Sequence, residues 1–99
     1  MGEGEGGARP LSPGRIYRIE LRPAARRSLA ALPREAQTRI ASAIDSLATE
    51  PRPPGVTKLR GQERFYRVRV GDYRIVYAID DDVLLVLVVR VGHRREVYR

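Results

Sequence analysis

Ninety-nine residues suffice for one domain with one modest core and leave no room for a second. A hydrophobic fraction of 42% is that of a globular chain rather than a disordered one, the lack of Cys excludes disulfides and thiolate metal sites, and a single His excludes a His-rich zinc site. The net charge of +7 is carried by 19 Lys and Arg, all Arg but Lys58, and favours a polyanionic partner, nucleic acid or an acidic protein, although an Arg-rich composition also serves solubility.

Residues 1–14 are rich in Gly, Pro and Glu and read as a flexible tail, with the folded domain over 15–99. Arg15–Leu21 predicts a strand. Pro23 suits the first turn of a helix reaching about Leu32, with Ala25, Leu29 and Leu32 on one face. A second helix is expected from about Arg34 to Ala48, where Ala36, Ile40, Ala43, Ile44, Leu47 and Ala48 form one stripe. Arg27, Arg34 and Arg39 fall off these stripes and are most simply solvated. PRPPG at Pro51–Gly55 ends the helical part. Glu63–Val70 and Tyr73–Ile79 predict strands joined by a two-residue turn at Gly71-Asp72. The acidic triplet Asp80-Asp81-Asp82 could hold a divalent metal, but consecutive side chains diverge, which favours a solvated turn. Val83–Val91 is almost wholly apolar and suits a central strand covered on both faces, and Glu96–Tyr98 could add a short final strand. The order β-α-α-β-β-β predicts an α+β domain, a helical hairpin packed on one face of an antiparallel sheet. The start has no apolar signal segment and the run Val83–Val89 is too short to cross a bilayer, so a soluble cytoplasmic protein is expected, with no membrane partner.

A two-residue turn at Gly71-Asp72 fixes a register in which Val70 faces Tyr73, Arg69 faces Arg74, Val68 faces Ile75 and Arg67 faces Val76. Tyr66, Val68, Val70, Tyr73, Ile75, Tyr77 and Ile79 then share one face, suited to receive the helices, and Arg67, Arg69 and Arg74 share the other. Like charges directly opposite cost a sheet a few tenths to about 1 kcal/mol. The only acid between Arg67 and Arg74 is Asp72, in the turn. Such a cluster points to an anion, and phosphate suits three guanidiniums; the alternative is a face of long side chains splayed into solvent.

The segment VRVGHRREVYR adds Arg90, His93, Arg94, Arg95 and Tyr98 just after the apolar strand. Arginines to grip phosphate beside rings that can stack bases suit single-stranded nucleic acid, although Tyr98 could equally pack on the core and His93 sit idle in a loop. If the site does chemistry, RNA cleavage is economical, because RNA brings its own 2′-hydroxyl nucleophile and no metal or other cofactor is needed. Arginines would stabilise the developing charge, and Tyr98, or His93, would serve as base.

KLRG at Lys58–Gly61, then YRVRVGDYRIVY, then VVRVGHRREVY resemble the RelE branch of the RelE/ParE superfamily of type II toxins, over about Tyr17–Tyr98. The resemblance implies a compact α+β ribonuclease fold of the microbial-RNase kind. It also implies a metal-independent endonuclease that cuts mRNA in the ribosomal A site and so inhibits translation. Carried over by position, the catalytic set is Arg67, Arg69, Arg74, Arg94 and Tyr98, with His93 a second candidate base. Lys58 and Arg60 of the KLRG segment are then RNA or ribosome contacts, as are Arg90 and Arg95. The segment between Gly92 and Tyr98 is shorter than in some members, so Arg94 and Arg95 could exchange roles. The implied partners are a cognate antitoxin, mRNA and ribosome, with operator DNA bound only through the toxin–antitoxin complex. Two rival readings stay open: a ParE-like inhibitor of DNA gyrase on the same fold, and a non-catalytic RNA-binding module.

Overall fold

The structure is a computed structural model and describes residues 16–59, 61 and 64–93. Within them lie β1 (Arg18–Leu21), α1 (Pro23–Ala30), α2 (Arg34–Ser46), β2 (Thr57–Lys58), β3 (Phe65–Val70), β4 (Tyr73–Asp80) and β5 (Leu85–His93). The strands form one sheet in the order β1-β5-β4-β3-β2, and both helices pack on one side of it. This is the expected α+β arrangement, with Pro23 at the start of α1 where its missing N–H costs nothing. Gln37 fixes the helical elbow by donating to the carbonyls of Ala30 and Leu32, at 2.8 and 3.0 Å. Ala48 lies beyond α2, because the chain tightens there into i→i+3 hydrogen bonds ahead of the prolines.

One pairing departs from the antiparallel expectation. β1 runs parallel to β5, Arg18 opposite Leu85 through Leu21 opposite Val88. The helices carry the chain from β1 to the far edge of the sheet, and three reversals through β2, β3, β4 and β5 bring it back alongside β1 in the same direction. A two-residue strand, β2, also edges the sheet where the sequence offered no alternation to read.

The core lies between helices and sheet. Ala25 of α1, Ile40 and Ile44 of α2 and Leu47 just after it meet Ile75, Tyr77 and Ile79 of β4 and Val86, Val88 and Val91 of β5, with Tyr17 at the rim. Burying one such aliphatic chain contributes roughly 1.5–3 kcal/mol. β5 is closed on the helix side, but on the other side Leu85 and Leu87 are only half-buried. A bulge between Val76 and Tyr77 lets Val91, Val88 and Val86 all reach the core. No described helix is long and apolar enough to cross a membrane.

Candidate nucleic-acid site on the open face of the sheet

The β3–β4 hairpin has the register that a two-residue turn dictates. Val70 pairs with Tyr73, Arg69 with Arg74, Val68 with Ile75 and Arg67 with Val76. Gly71 at the turn has φ of 62°, a left-handed conformation that glycine adopts without strain. Pairing of β4 with β5 extends each row, because Val76 pairs with Arg90 and Arg74 with Gly92. On the face away from the helices two adjacent rows therefore read Thr57–Arg67–Val76–Arg90 and Arg69–Arg74–Gly92. Four arginines meet there, and neither row contains a carboxylate.

Their environments differ. Arg69 and Arg90 are exposed, Arg67 is half-buried, and Arg74 is only 7% exposed. The Arg69 Nε–H donates to the Gly71 carbonyl across 3.4 Å, a long contact that aims the side chain along the turn. Opposite Arg74 stands Gly92, which has no side chain, and both residues are buried. Among the described residues the acids of this face lie elsewhere. Glu20 pairs with Arg18 at 3.0 Å, and Asp80 with Arg64 at 3.6 Å, at the end of β4 far from the hairpin turn. Among the described residues charge is thus segregated along the face, with the cations at the hairpin end.

The other candidates are dispersed. His93 pairs with Tyr73 and so lies on the helix side of the sheet, its ring edge-on to Tyr73 with centroids 5.9 Å apart. Lys58 is exposed on the edge strand opposite Tyr66, also on the helix side. Arg60, Arg94, Arg95 and Tyr98 lie outside the described residues, as do the expected tail and the expected strand at Glu96–Tyr98.

A second constellation escaped the sequence reading. Asp81 accepts from the Tyr17 hydroxyl at 2.5 Å and from both terminal nitrogens of Arg52, at 3.4 and 3.0 Å. Arg52 in turn covers the ring of Tyr66, 5.3 Å from its centroid, and Tyr66 stacks on Tyr77 at 6.0 Å. The Tyr77 hydroxyl donates to the Pro51 carbonyl at 2.7 Å. Hydrogen bonds to Asp81, then to Tyr66, hold the Arg52 guanidinium protonated even more firmly than usual, and burial pushes the Tyr77 phenol above the ordinary tyrosine range. These residues clamp the PRPPG loop to the sheet on the side away from the arginines. Asp80, Asp81 and Asp82 diverge, and among the described residues no three His, Cys, Asp or Glu converge as metal ligands.

A family model for the ParE toxin of the type II toxin–antitoxin system parDE matches residues 19–98. The toxin RelG of Mycobacterium tuberculosis is 33% identical over 84 residues, 84% of this chain and 97% of that protein. The chain belongs to the RelE/ParE family of type II toxins. Among solved structures, RelE of the Pyrococcus horikoshii RelE–RelB complex superposes with a TM-score of 0.72 at 28% identity, covering 80% of this chain and 96% of that one. The M. tuberculosis RelBE2 toxin–antitoxin complex gives 0.70 at 32% identity, covering 80% and 99%. RelE-like topology thus accounts for the helical hairpin and the mixed five-stranded sheet.

Proposed function

We propose that this RelE-like toxin is a metal-independent endoribonuclease that cleaves mRNA, with the ribosomal A site as its place of action. The observation that carries the reading is the cross-strand pair Arg69–Arg74 with Arg67 and Arg90 in the next row, on the face away from α1 and α2. Four guanidiniums from three adjacent strands suit the oxygens of a phosphodiester. In the reaction the 2′-oxygen of the substrate bonds to the adjacent phosphorus and the bond to the 5′-oxygen breaks. The 2′-hydroxyl proton goes to a base and a proton is delivered to the leaving 5′-oxygen. Arg67, Arg69 and Arg74 stabilise the negative charge on the phosphorane, and Arg94 adds to them by its match to the family motif. Losing one such donor typically costs 10²–10³ in rate. Tyr98 is the base by the same match, and the placement of His93 across the sheet from the arginines favours Tyr98 over it. Arg90 binds substrate on the arginine face, and Lys58, Arg60 and Arg95 serve as outlying contacts.

Several solved relatives, the P. horikoshii structure among them, are complexes of RelE with RelB. By the same reasoning this chain pairs with a cognate antitoxin whose acidic or amphipathic segment covers the basic surface, and reaches operator DNA only through that complex. The test is primer extension on a defined mRNA with and without translating ribosomes, for the wild type, Arg74→Ala and Tyr98→Phe. Ribosome-dependent cuts that vanish in both variants are expected. Cuts that persist in both would refute the site assignment. One observation favours a second reading: the matching family model is that of ParE toxins. A protein that arrests growth, leaves mRNA intact and blocks gyrase supercoiling would establish the ParE-like alternative.

A further inference from the structure

The hairpin turn brings together two arginines from opposite layers of the fold. Arg39 is exposed on α2, which packs over β3 on the helix side. Its Nη1 reaches the turn, where a Cβ placed on Gly71 would stand 3.1 Å away. A side chain at position 71 would make the guanidinium shift by a few tenths of an ångström, and the positive φ there favours glycine in any case. Arg69, from the open face, touches the same residue through its Nε and the Gly71 carbonyl. Gly71 is therefore bracketed by two cations, one from each side of the sheet. Asp72 is beside them, yet among the described residues neither Arg39 nor Arg69 forms an ion pair. Tyr73 and His93 stand at the same end of the sheet and on the same side as Arg39.

We propose that Arg39 is a second phosphate-binding point for single-stranded RNA, which leaves the arginine face at Arg69 and passes round the Gly71-Asp72 turn to the helix side. The choice of RNA rests on the ribonucleolytic reading above. Two features favour it over an acidic polypeptide. The cations straddle a thin, exposed edge, and a flexible phosphodiester with one charge per residue can round such an edge, whereas an acidic helix presents its carboxylates along one straight face. The Tyr73–His93 pair also offers aromatic rings at the same end and on the same side of the sheet, and single-strand binders combine such rings with cations. Arg39 makes the substrate footprint longer than the cleaved dinucleotide and fixes the direction in which the strand leaves.

The test measures anisotropy of a short fluorescent oligouridylate with 2′-O-methyl sugars, which lacks the nucleophile and cannot be cut, against the full chain at several salt concentrations. One phosphate contact to a single strand contributes about 0.7 to the slope of log K against log salt, a factor of about 2.5 in affinity between roughly 50 and 200 mM. Arg39→Gln is expected to flatten the slope by that amount. Arg39→Lys, which keeps the charge, is expected to restore it, and Arg27→Gln, an equal charge loss on α1, to leave it unchanged. An unaltered slope in Arg39→Gln would overturn the proposal, as would equal flattening in Arg27→Gln. So would weaker binding of polyglutamate with RNA binding intact, which would assign the surface to an acidic protein. Because the probe cannot be cleaved, the two readings fail separately. Wild-type cleavage of ribosome-bound mRNA with no Arg39 effect sinks only the tip site. A slope change in a protein that never cleaves sinks only the nuclease.

Discussion

The Arg69–Arg74 pair should cost the protein stability that it repays in function, and the cost can be measured. Arg69→Gln removes one charge but keeps a long polar side chain in a strand position where Arg69 is exposed. Among the described residues the only hydrogen bond lost is the Nε contact to Gly71 at 3.4 Å, too long to contribute much. Like charges directly opposite in a sheet destabilise it by about 0.2–1 kcal/mol, and with Arg69 exposed to solvent and Arg74 buried a middle value of about 0.5 kcal/mol is expected. In a domain this small, that gain raises Tm by about 2–4 °C. The gain should also depend on salt, because the screening length falls from about 10 Å at 0.1 M to about 3 Å at 1 M. Urea unfolding of wild type and variant at both ionic strengths gives the numbers. Arg69→Gln should be the more stable protein at low salt, equal to wild type at high salt, and at least about 10²-fold slower in RNA cleavage. A variant less stable than wild type at low salt, or a gain indifferent to salt, would show that the two guanidiniums do not repel and that the anion argument lacks its electrostatic footing.

Other substitutions probe the frame that presents this face. Ile40→Ala empties a fully buried position on α2 and should lower stability by about 2–5 kcal/mol, read by denaturant midpoint at unchanged m. Asp81→Ala removes the acceptor shared by Tyr17 and Arg52, a partly exposed group, and should cost about 1–2 kcal/mol while loosening the PRPPG loop in hydrogen exchange. Folded Tyr77 holds its phenolic proton more tightly than the unfolded chain does, so its contribution is complete below the unfolded value of about 10 and declines as pH rises above it. Stability measured across that range should fall in wild type and stay flatter in Tyr77→Phe. His93→Gln should leave mRNA cleavage within a few-fold of wild type in primer extension, since His93 faces away from the arginines.

Local chemistry made much of this protein legible. Helical stripes end where prolines forbid more helix, so α1 and α2 could be placed within two residues of their observed ends. A two-residue turn leaves one register, so the pairing of Arg69 with Arg74 could be written from the sequence, and with it the separation of arginine face from helix face. The direction of β1 could not be read, because alternation marks which side a residue faces and says nothing of which strand lies beside it. The same blindness affected His93. Its position after the apolar strand suggested company for the arginines, but the bulge near Val76 and the pairing with Tyr73 put it on the other side. Arg52 and Asp81 are 29 residues apart and carry no shared motif, and it is the folded sheet that brings the β4–β5 turn to the loop. Arg39 looked like one more solvated charge on α2, and only the packing of that helix over β3 brings it to Gly71. Periodicity and turn chemistry act between neighbours in the chain, so the sequence by itself determined elements, faces and the hairpin register. Which of those faces meet, and which charges come together across layers, was decided by burial of one shared core.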